Sequence, residues 1–301
     1  MDNLPDVPSK SLSIQSSTPM YYVAVGASAG GLEAIEAFFK HMPLDTGLAF
    51  ILVQHLSPDY KSLMPELLEN RTEIPVFRAE NNMQVLANHI YLITPRKNLT
   101  IFHGRLLLQD QERSGGLNLP IDIFFKSLSE DQGEKAIGII LSGTGSDGTR
   151  GARAIKEVGG MVMVQSEESA KFDGMPRSVI ATGLADFILT PEDMAAQLQA
   201  YSKHPYANPL KRNVLPITNE EGMTRIFALL RERSRIDFTF YKPSTIVRRI
   251  ERRMMVNHIQ DIPSYVRFLS EHFNEVEVLY QDLLIGVTSF MRDPLAFEVL
   301  S

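Results

Sequence analysis

The feature of this chain that most restricts its folding is a rhythm: from Tyr21 onward, short apolar runs alternate with longer amphipathic ones. A strand buried on both faces reads as a continuous apolar run, and the helix that crosses over it reads as one apolar stripe. The alternation therefore marks βαβ units around a mostly parallel sheet. Strands are predicted at residues 21–26, 48–54, 89–94, 136–142, 161–165 and 186–189. Between them Leu32, Ile35, Phe38, Phe39 and Met42 recur at helical spacing, as do Ile121, Phe124, Phe125 and Leu128, and these stripes are assigned to the core. Residues 99–103 and 105–109, joined at Gly104, read instead as a local hairpin at a sheet edge.

The rhythm stops near Tyr201. Lys, Asn, Tyr and Pro crowd residues 201–218 and mark a linker, beyond which no strand pattern returns. Helices are predicted near 219–233, 243–256, 262–272, 275–284 and 294–300. The fold class is therefore α/β, a doubly wound, mostly parallel sheet with helices on both faces, followed by a small all-α domain. The expected division is a disordered polar tail over 1–19, an α/β domain over 20–203, a linker over 204–219 and a helical domain over 220–301. With 301 residues and 44% hydrophobic content, two domains and a sizeable core are the ordinary outcome.

Composition removes several functions. The absence of cysteine excludes thiolate catalysis, disulfides and cysteine-ligated metal sites, and it agrees with a reducing compartment. No run of eighteen apolar residues occurs and the first residues are polar and rich in Ser and Pro, so neither a spanning helix nor a secretory signal is indicated and the expected location is the cytoplasm. Residues 1–200 carry 16 Lys/Arg against 24 Asp/Glu, and residues 201–301 carry 14 against 12. Neither balance gives the strongly positive surface that nucleic-acid binding needs, so no nucleic-acid partner and no membrane insertion are expected.

Three loops carry chemistry. Gly26-Ala27-Ser28-Ala29-Gly30-Gly31 closes the first predicted strand and opens a helix, which is the setting of a G-x-S-x-G nucleophile elbow. The same residues also fit a plain turn with a capping serine, or a degenerate phosphate loop. A serine hydroxyl needs a base, and His55 ends the apolar strand 48–54, at the edge where open α/β sheets place their sites. A lone histidine at a strand end is also a common structural feature. The third loop, Ser142-Gly143-Thr144-Gly145-Ser146-Asp147-Gly148, puts Asp147 on the same edge, where it can accept the Nδ1–H of His55 and fix its tautomer. Gly143, Gly145 and Gly148 also satisfy G-x-G-x-x-G, with Glu167 near the place of a ribose-binding acid, although Asp147 would set a negative charge beside a pyrophosphate. A serine, a histidine and an aspartate at three strand ends point to a serine hydrolase with Ser28 as nucleophile, His55 as general base and Asp147 as orienter. Their order along the chain differs from the Ser, Asp, His of the α/β-hydrolases.

The motifs V-G-A-S-A-G-G, V-Q-H, L-S-G-T-G-S-D-G and G-M-P-R-S-V-I-A-T-G, with P-I-D-I-F-F-K-S-L from Pro120, resemble those of the CheB-type chemotaxis receptor methylesterases. The resemblance covers about residues 20–199. It implies that Ser28, His55 and Asp147 hold the triad positions and that backbone amides at Ala29, Gly30 and Thr144 form the oxyanion hole. The family's more usual Thr after the serine is Ala29 here, and its usual Met in the aspartate loop is Thr144; backbone donors survive both changes.

The rear, through F-A-L-L-R-E-R-S-R-I-D-F, Y-K-P-S-T-I-V-R-R-I-E-R-R-M and T-S-F-M-R-D-P, resembles the N-terminal helical domain of CheR-type receptor methyltransferases. Over 243–255, Ile246, Ile250 and Met254 share one helical face while Arg248/Arg252 and Arg249/Arg253 form i,i+4 pairs elsewhere. Such a stripe is commonly solvated surface. The resemblance gives Arg248, Arg249, Arg252 and Arg253 a role in docking acidic receptor helices, and five basic residues against one acid over 242–253 agree with it. It also places Thr288 and Arg292 beside an S-adenosylmethionine pocket, most of which would belong to a domain beyond Ser301. The expectation is part of a longer esterase–transferase fusion, with no methyl transfer from these residues and that cofactor used only by the longer chain.

The activity implied by the resemblance is hydrolysis of glutamyl γ-methyl esters on helices of chemoreceptor-like proteins, giving glutamate and methanol through an acyl-enzyme on Ser28. Deamidation of receptor glutamines would follow the same route, and neither reaction calls for a metal or an organic cofactor. Two further readings stay open: a serine hydrolase of small esters or amides, and a non-catalytic scaffold or nucleotide sensor using residues 143–148.

Overall fold

The computed structural model describes residues 20–55, 64–111, 118–207 and 220–284. Its strands are, in chain order, β1 (Tyr21–Ala27), β2 (Leu48–Gln54), β3 (Val76–Arg78), β4 (Met83–Gln84), β5 (His89–Leu92), β6 (Lys97–Phe102), β7 (Arg105–Asp110), β8 (Ala136–Ile140), β9 (Met161–Gln165) and β10 (Phe187–Leu189). Seven of them form one parallel sheet in the order β10-β9-β8-β1-β2-β5-β3, and β4, β7 and β6 form a small antiparallel sheet. The helices of the front part are α1 (Gly31–Lys40), α2 (Met64–Glu69), α3 (Pro120–Gln132), α4 (Thr149–Glu157), α5 (Gly174–Ile180) and α6 (Pro191–Ser202). The rear part holds α7 (Glu220–Ser234), α8 (Pro243–Val256), α9 (Ile262–Glu271) and α10 (Phe273–Leu284).

Every residue of β1 is buried, and the pleat sends alternate side chains to opposite faces. Val23, Val25 and Ala27 join a core with Phe38, Phe39 and Phe50, whereas Tyr22 and Ala24 join a second core with Phe124, Phe125 and Ile155. Helices α1 and α6 cover the first face, α3 and α4 the second. Because the chain passes from β1 to β2 on one side and later returns to β8 on the other, β1 flanks the reversal point where open parallel sheets leave a crevice at their carboxyl edge.

All six predicted strands are present, with ends displaced by up to two residues. Strands β3 and β4 were not expected, since runs of three and two residues are too short to display a period. The hairpin at Gly104 is one part of the small sheet, which β4 completes. The tail 1–19, residues 208–219 of the linker and the helix expected at 294–300 lie outside the described residues. Among the described residues no helix is long and apolar enough to cross a membrane.

The rear helices rest on the amino edge of the sheet. Ile246, Ile250 and Met254 of α8 are buried in the same continuous core as Phe38 and Tyr201, and the Tyr21 hydroxyl at the start of β1 donates to Met255 Sδ over 4.0 Å. The other face of α8 overturns an expectation. Arg249, Arg252 and Arg253 are buried instead of being presented to receptor helices. Arg249 donates to the carbonyls of Lys156 and Glu157 at 3.2 and 2.8 Å. Arg252 donates to the Gly160 carbonyl at 3.1 Å and to the carboxylates of Asp186 and Asp282. Arg253 holds both oxygens of Glu275, at 2.8 and 2.6 Å, and Lys156 Nζ lies 2.6 Å from Asp186 and 3.2 Å from Asp282. The reason is local: the residues just before β9 and β10 offer carbonyls and a carboxylate that need donors, and α8 supplies them. Arg248, paired with Glu134 at 3.7 Å, is the one of the four that keeps an exposed side chain.

Burial by itself would raise the carboxyls of Asp186 and Asp282, but Arg252 and then Lys156 hold both below the usual carboxylate range. A depressed folded value gives stability that is fully present above the unfolded value, about 3.9, and is lost as pH falls through the folded one. Replacing Arg252 by Met leaves Asp186 and Asp282 buried without their main guanidinium partner, with Lys156 between them and Arg253 3.6 Å from Asp186. Urea unfolding at pH 7 is expected to show a loss of about 3–5 kcal/mol, and acid titration by circular dichroism an unfolding midpoint moved to higher pH. A variant as stable as the parent at pH 7 and with an unchanged acid midpoint would show that the network does not hold the two parts together.

Candidate active site

Neighbouring strands β8, β1 and β2 each release a loop at the carboxyl edge, and these loops bring Asp147, Ser28 and His55 together. The turn after β1 is tight: Gly31 N–H donates to the Ser28 carbonyl at 2.9 Å, and Gly30 sits at φ +68°, a conformation that L side chains rarely adopt. Beneath it, the loop after β8 passes so close that a Cβ on Gly143 would lie 2.9 Å from Ser28 Cβ and 2.2 Å from Met175 Sδ. Only bare backbone fits there.

Ser28 Oγ lies 3.2 Å from His55 Nδ1, and His55 Nε2 lies 2.8 Å from Asp147 Oδ2. The imidazole is 35% exposed and the carboxylate 1%. Expectation and structure differ on the ring nitrogens, since Nε2 and not Nδ1 meets the aspartate. Strand order explains this. Ser28 follows the strand next to β2 and meets the near nitrogen, while Asp147 follows the strand beyond and is met by the far one. Nε2–H donating to Asp147 leaves the Nδ1 lone pair facing the serine hydroxyl, as a general base requires.

Asp147 is held by more than the histidine. The N–H of Ile121 donates to Oδ2 at 3.0 Å and that of Asp122 to Oδ1 at 2.9 Å, so the carboxylate caps the amino end of α3 from outside the helix. The Asp122 carboxylate in turn accepts the N–H of Gly151 in the first turn of α4 at 2.8 Å. Burial raises the Asp122 carboxyl, with the Asp147 charge adding to the effect and the Gly151 N–H opposing it. Sequence reasoning missed this reciprocal capping. Its signal was the start of α3, where Pro120 follows Leu119 and no local side chain caps the helix.

Among the described residues, the N–H groups of Ala29, Gly30 and Thr144 donate to no protein acceptor. Ala29 and Gly30 stand at the amino end of α1 beside Ser28, and Thr144 is exposed on the rim of the facing loop, so these donors are open to an anion forming at the serine. The G-x-G-x-x-G reading of residues 143–148 fares differently. The Gly143 N–H is taken by the Phe172 carbonyl at 2.9 Å, Asp147 is turned to α3, and Glu167 pairs with Arg177 at 3.0 Å. Thr288 and Arg292 lie outside the described residues. Ser142 and Gln165, buried under the serine turn, were not expected to matter.

Residues 23–198 match the family described as CheB methylesterase, and residues 221–284 match the CheR methyltransferase all-alpha domain. An uncharacterized 104.1 kDa protein of Rhodobacter capsulatus is 36% identical over 259 residues, which are 79% of this chain and 27% of that protein. A protein-glutamate methylesterase/protein-glutamine glutaminase of Photorhabdus laumondii is 30% identical over 182 residues, 59% of this chain and 52% of the relative. This chain thus spans between a quarter and about half of the length of these relatives. The crystal structure of the Thermotoga maritima CheB methylesterase catalytic domain shares the fold with a TM-score of 0.56 at 26% identity, over 61% of this chain and 98% of that one. With more than half of its length matched to one family and the strand order carrying serine, histidine and aspartate to one edge, the chain belongs to the CheB methylesterase family.

Proposed function

We propose that the front part, residues 20–203, hydrolyses glutamyl γ-methyl esters on helices of chemoreceptor-like proteins in the cytoplasm, and that residues 220–301 form a CheR-type helical domain joined to it by the linker 204–219. The observation that carries the reading is the relay from Ser28 Oγ through His55 to Asp147, beside three backbone N–H groups without protein acceptors. His55 Nδ1 takes the serine proton as Oγ attacks the ester carbonyl, and the negative oxygen is received by the N–H groups of Ala29, Gly30 and Thr144. Collapse breaks the bond to the methoxy group, which leaves as methanol with the proton from Nδ1. His55 then takes a proton from water, the hydroxide adds to the acyl carbon, and glutamate departs as Ser28 recovers its proton. Asp147, charged and fixed by two α3 amides, stabilises the imidazolium through both steps. Relatives named methylesterase/glutaminase support deamidation by the same path, with ammonia as leaving group. Each proton transfer is assigned to the chain's own residues, and S-adenosylmethionine has no part in this scheme.

Ser28→Ala is expected to abolish methanol release from methylated receptor, read by gas chromatography, with the fold unchanged by circular dichroism. Release by the variant above the background without enzyme would refute the nucleophile assignment, whereas release by neither protein, with wild-type turnover of aryl esters, would move the substrate class to small esters. Asp147→Asn is expected to lower kcat by about 10³–10⁴. Its amide cannot accept from His55 and both α3 N–H groups at once without presenting a donor to a donor. A loss smaller than tenfold would place the aspartate outside the relay.

A further inference from the structure

Ser142 is wholly buried, and its polar groups touch the serine turn after β1 and the segment from Gln165 to Phe172 after β9. Its carbonyl accepts the Ser28 N–H at 3.0 Å, and its own N–H donates to Gln165 Oε1 at 2.8 Å. The hydroxyl lies 2.9 Å from the Ala29 carbonyl and 3.3 Å from the Phe172 carbonyl, and it accepts the Phe172 N–H at 3.0 Å. Gln165, also buried, is anchored at its other end by donating Nε2–H to the Ser169 carbonyl at 3.0 Å. A hydroxyl has one proton to give, and the shorter contact assigns it to Ala29.

The consequence follows from peptide geometry. In a planar trans peptide the N–H points opposite to the C=O, and no cis peptide occurs among the described residues. The Ser28 carbonyl is held by the Gly31 N–H, so the Ala29 N–H of the same peptide is aimed by a backbone bond. The Ala29 carbonyl is held by the Ser142 hydroxyl, so the Gly30 N–H of that peptide is aimed by a side chain. This peptide ends at Gly30 with Gly31 next, and glycines permit rotation that a side chain would resist. A clamp from outside is therefore needed to keep one orientation.

We infer that Ser142 is a positioning residue whose buried hydroxyl, by holding the Ala29 carbonyl, aims the Gly30 N–H at the oxyanion formed during acyl transfer. The inference rests on the proposed role of Ser28 and extends to any ester that Ser28 attacks. It predicts a defect in transition-state stabilisation with ground-state binding and the serine–histidine pair left intact.

The test uses the full chain with p-nitrophenyl acetate as substrate and a trifluoromethyl ketone as tetrahedral analogue. For Ser142→Ala the expected fall in kcat is about 10- to 100-fold, the size of a misplaced group and below the roughly 10²–10³-fold of a donor removed outright. KM should stay within about twofold and the pH midpoint of kcat/KM should not move, because Ser28, His55 and Asp147 are untouched. Affinity for the ketone should fall in parallel with kcat/KM. Ser142→Cys, nearly the same in shape but a weak donor, should lie between the two. A full kcat in Ser142→Ala, or a loss confined to KM, overturns the inference; if Ser142→Ala does not fold, a full kcat in Ser142→Cys overturns it equally. Ser28→Ala separates the two layers. Inactive Ser28→Ala with active Ser142→Ala removes only the role of Ser142, whereas persistent aryl-ester turnover by Ser28→Ala removes the nucleophile and this inference with it.

Discussion

Asp147 is a carboxylate closed off from water, and the order of the carboxyl edge depends on the donors that converge on it. Removing an ion from water carries a penalty of several kcal/mol, whereas each charge-assisted hydrogen bond returns roughly 1.5–3 kcal/mol. Three donors converge on Asp147, from Ile121, Asp122 and His55, and the amino end of α3 adds its own partial positive charge. The same bonds tie the loop after β8 to a helix on the face of the sheet, and Asp122 returns the tie to α4. The group proposed to stabilise an imidazolium is thus also the group that locks two helices to each other.

A second set of buried charges sits at the other end of the strands. There Lys156 and Asp186 from the front part meet Arg252 and Asp282 from the rear, with every member of the set almost fully buried. The two sets differ in access. His55 and the rim from Thr144 to Ser146 are exposed, so the carboxyl-edge set has a side open to a substrate. At the amino edge the pairs are satisfied by one another and by backbone carbonyls. One edge of the sheet is built to be reached, the other to join two modules.

The sheet and the three converging residues were legible in the sequence because they rest on short-range rules. Continuous apolar runs locate parallel strands, and loops at their carboxyl ends locate a site. Which ring nitrogen of His55 meets Asp147 was not legible, because it depends on the spatial order β8-β1-β2, and that order is not the order of the chain. The arginines of α8 misled for a related cause. A cluster such as Arg248–Arg253 reads as surface when its partners are distant, and Asp186, Gly160 and Asp282 are 66, 92 and 30 residues away from Arg252. Ser142 was passed over because a small polar residue beside glycines reads as loop filler. Its weight comes from what the fold places under it and over it.

Strand spacing makes the central place of Ser28 consequential. Parallel neighbours lie about 4.8 Å apart, so the ends of β2 and β8 are roughly 9–10 Å from each other with β1 between them. A histidine on β2 therefore reaches an aspartate beyond β1 only by laying its ring across the serine, and only if the aspartate is carried back toward it. The loop from Ser142 to Asp147 provides that return, and the amino end of α3 fixes where it stops. Ser142 lies where this loop leaves β8, under the serine turn, so one residue sets the height of the loop below Ser28 through its backbone and the tilt of the Ala29–Gly30 peptide through its side chain. The proposed nucleophile on the middle strand needs support from both neighbours: β2 supplies the proposed base, and the β8 loop supplies both the carboxylate that orients it and the floor.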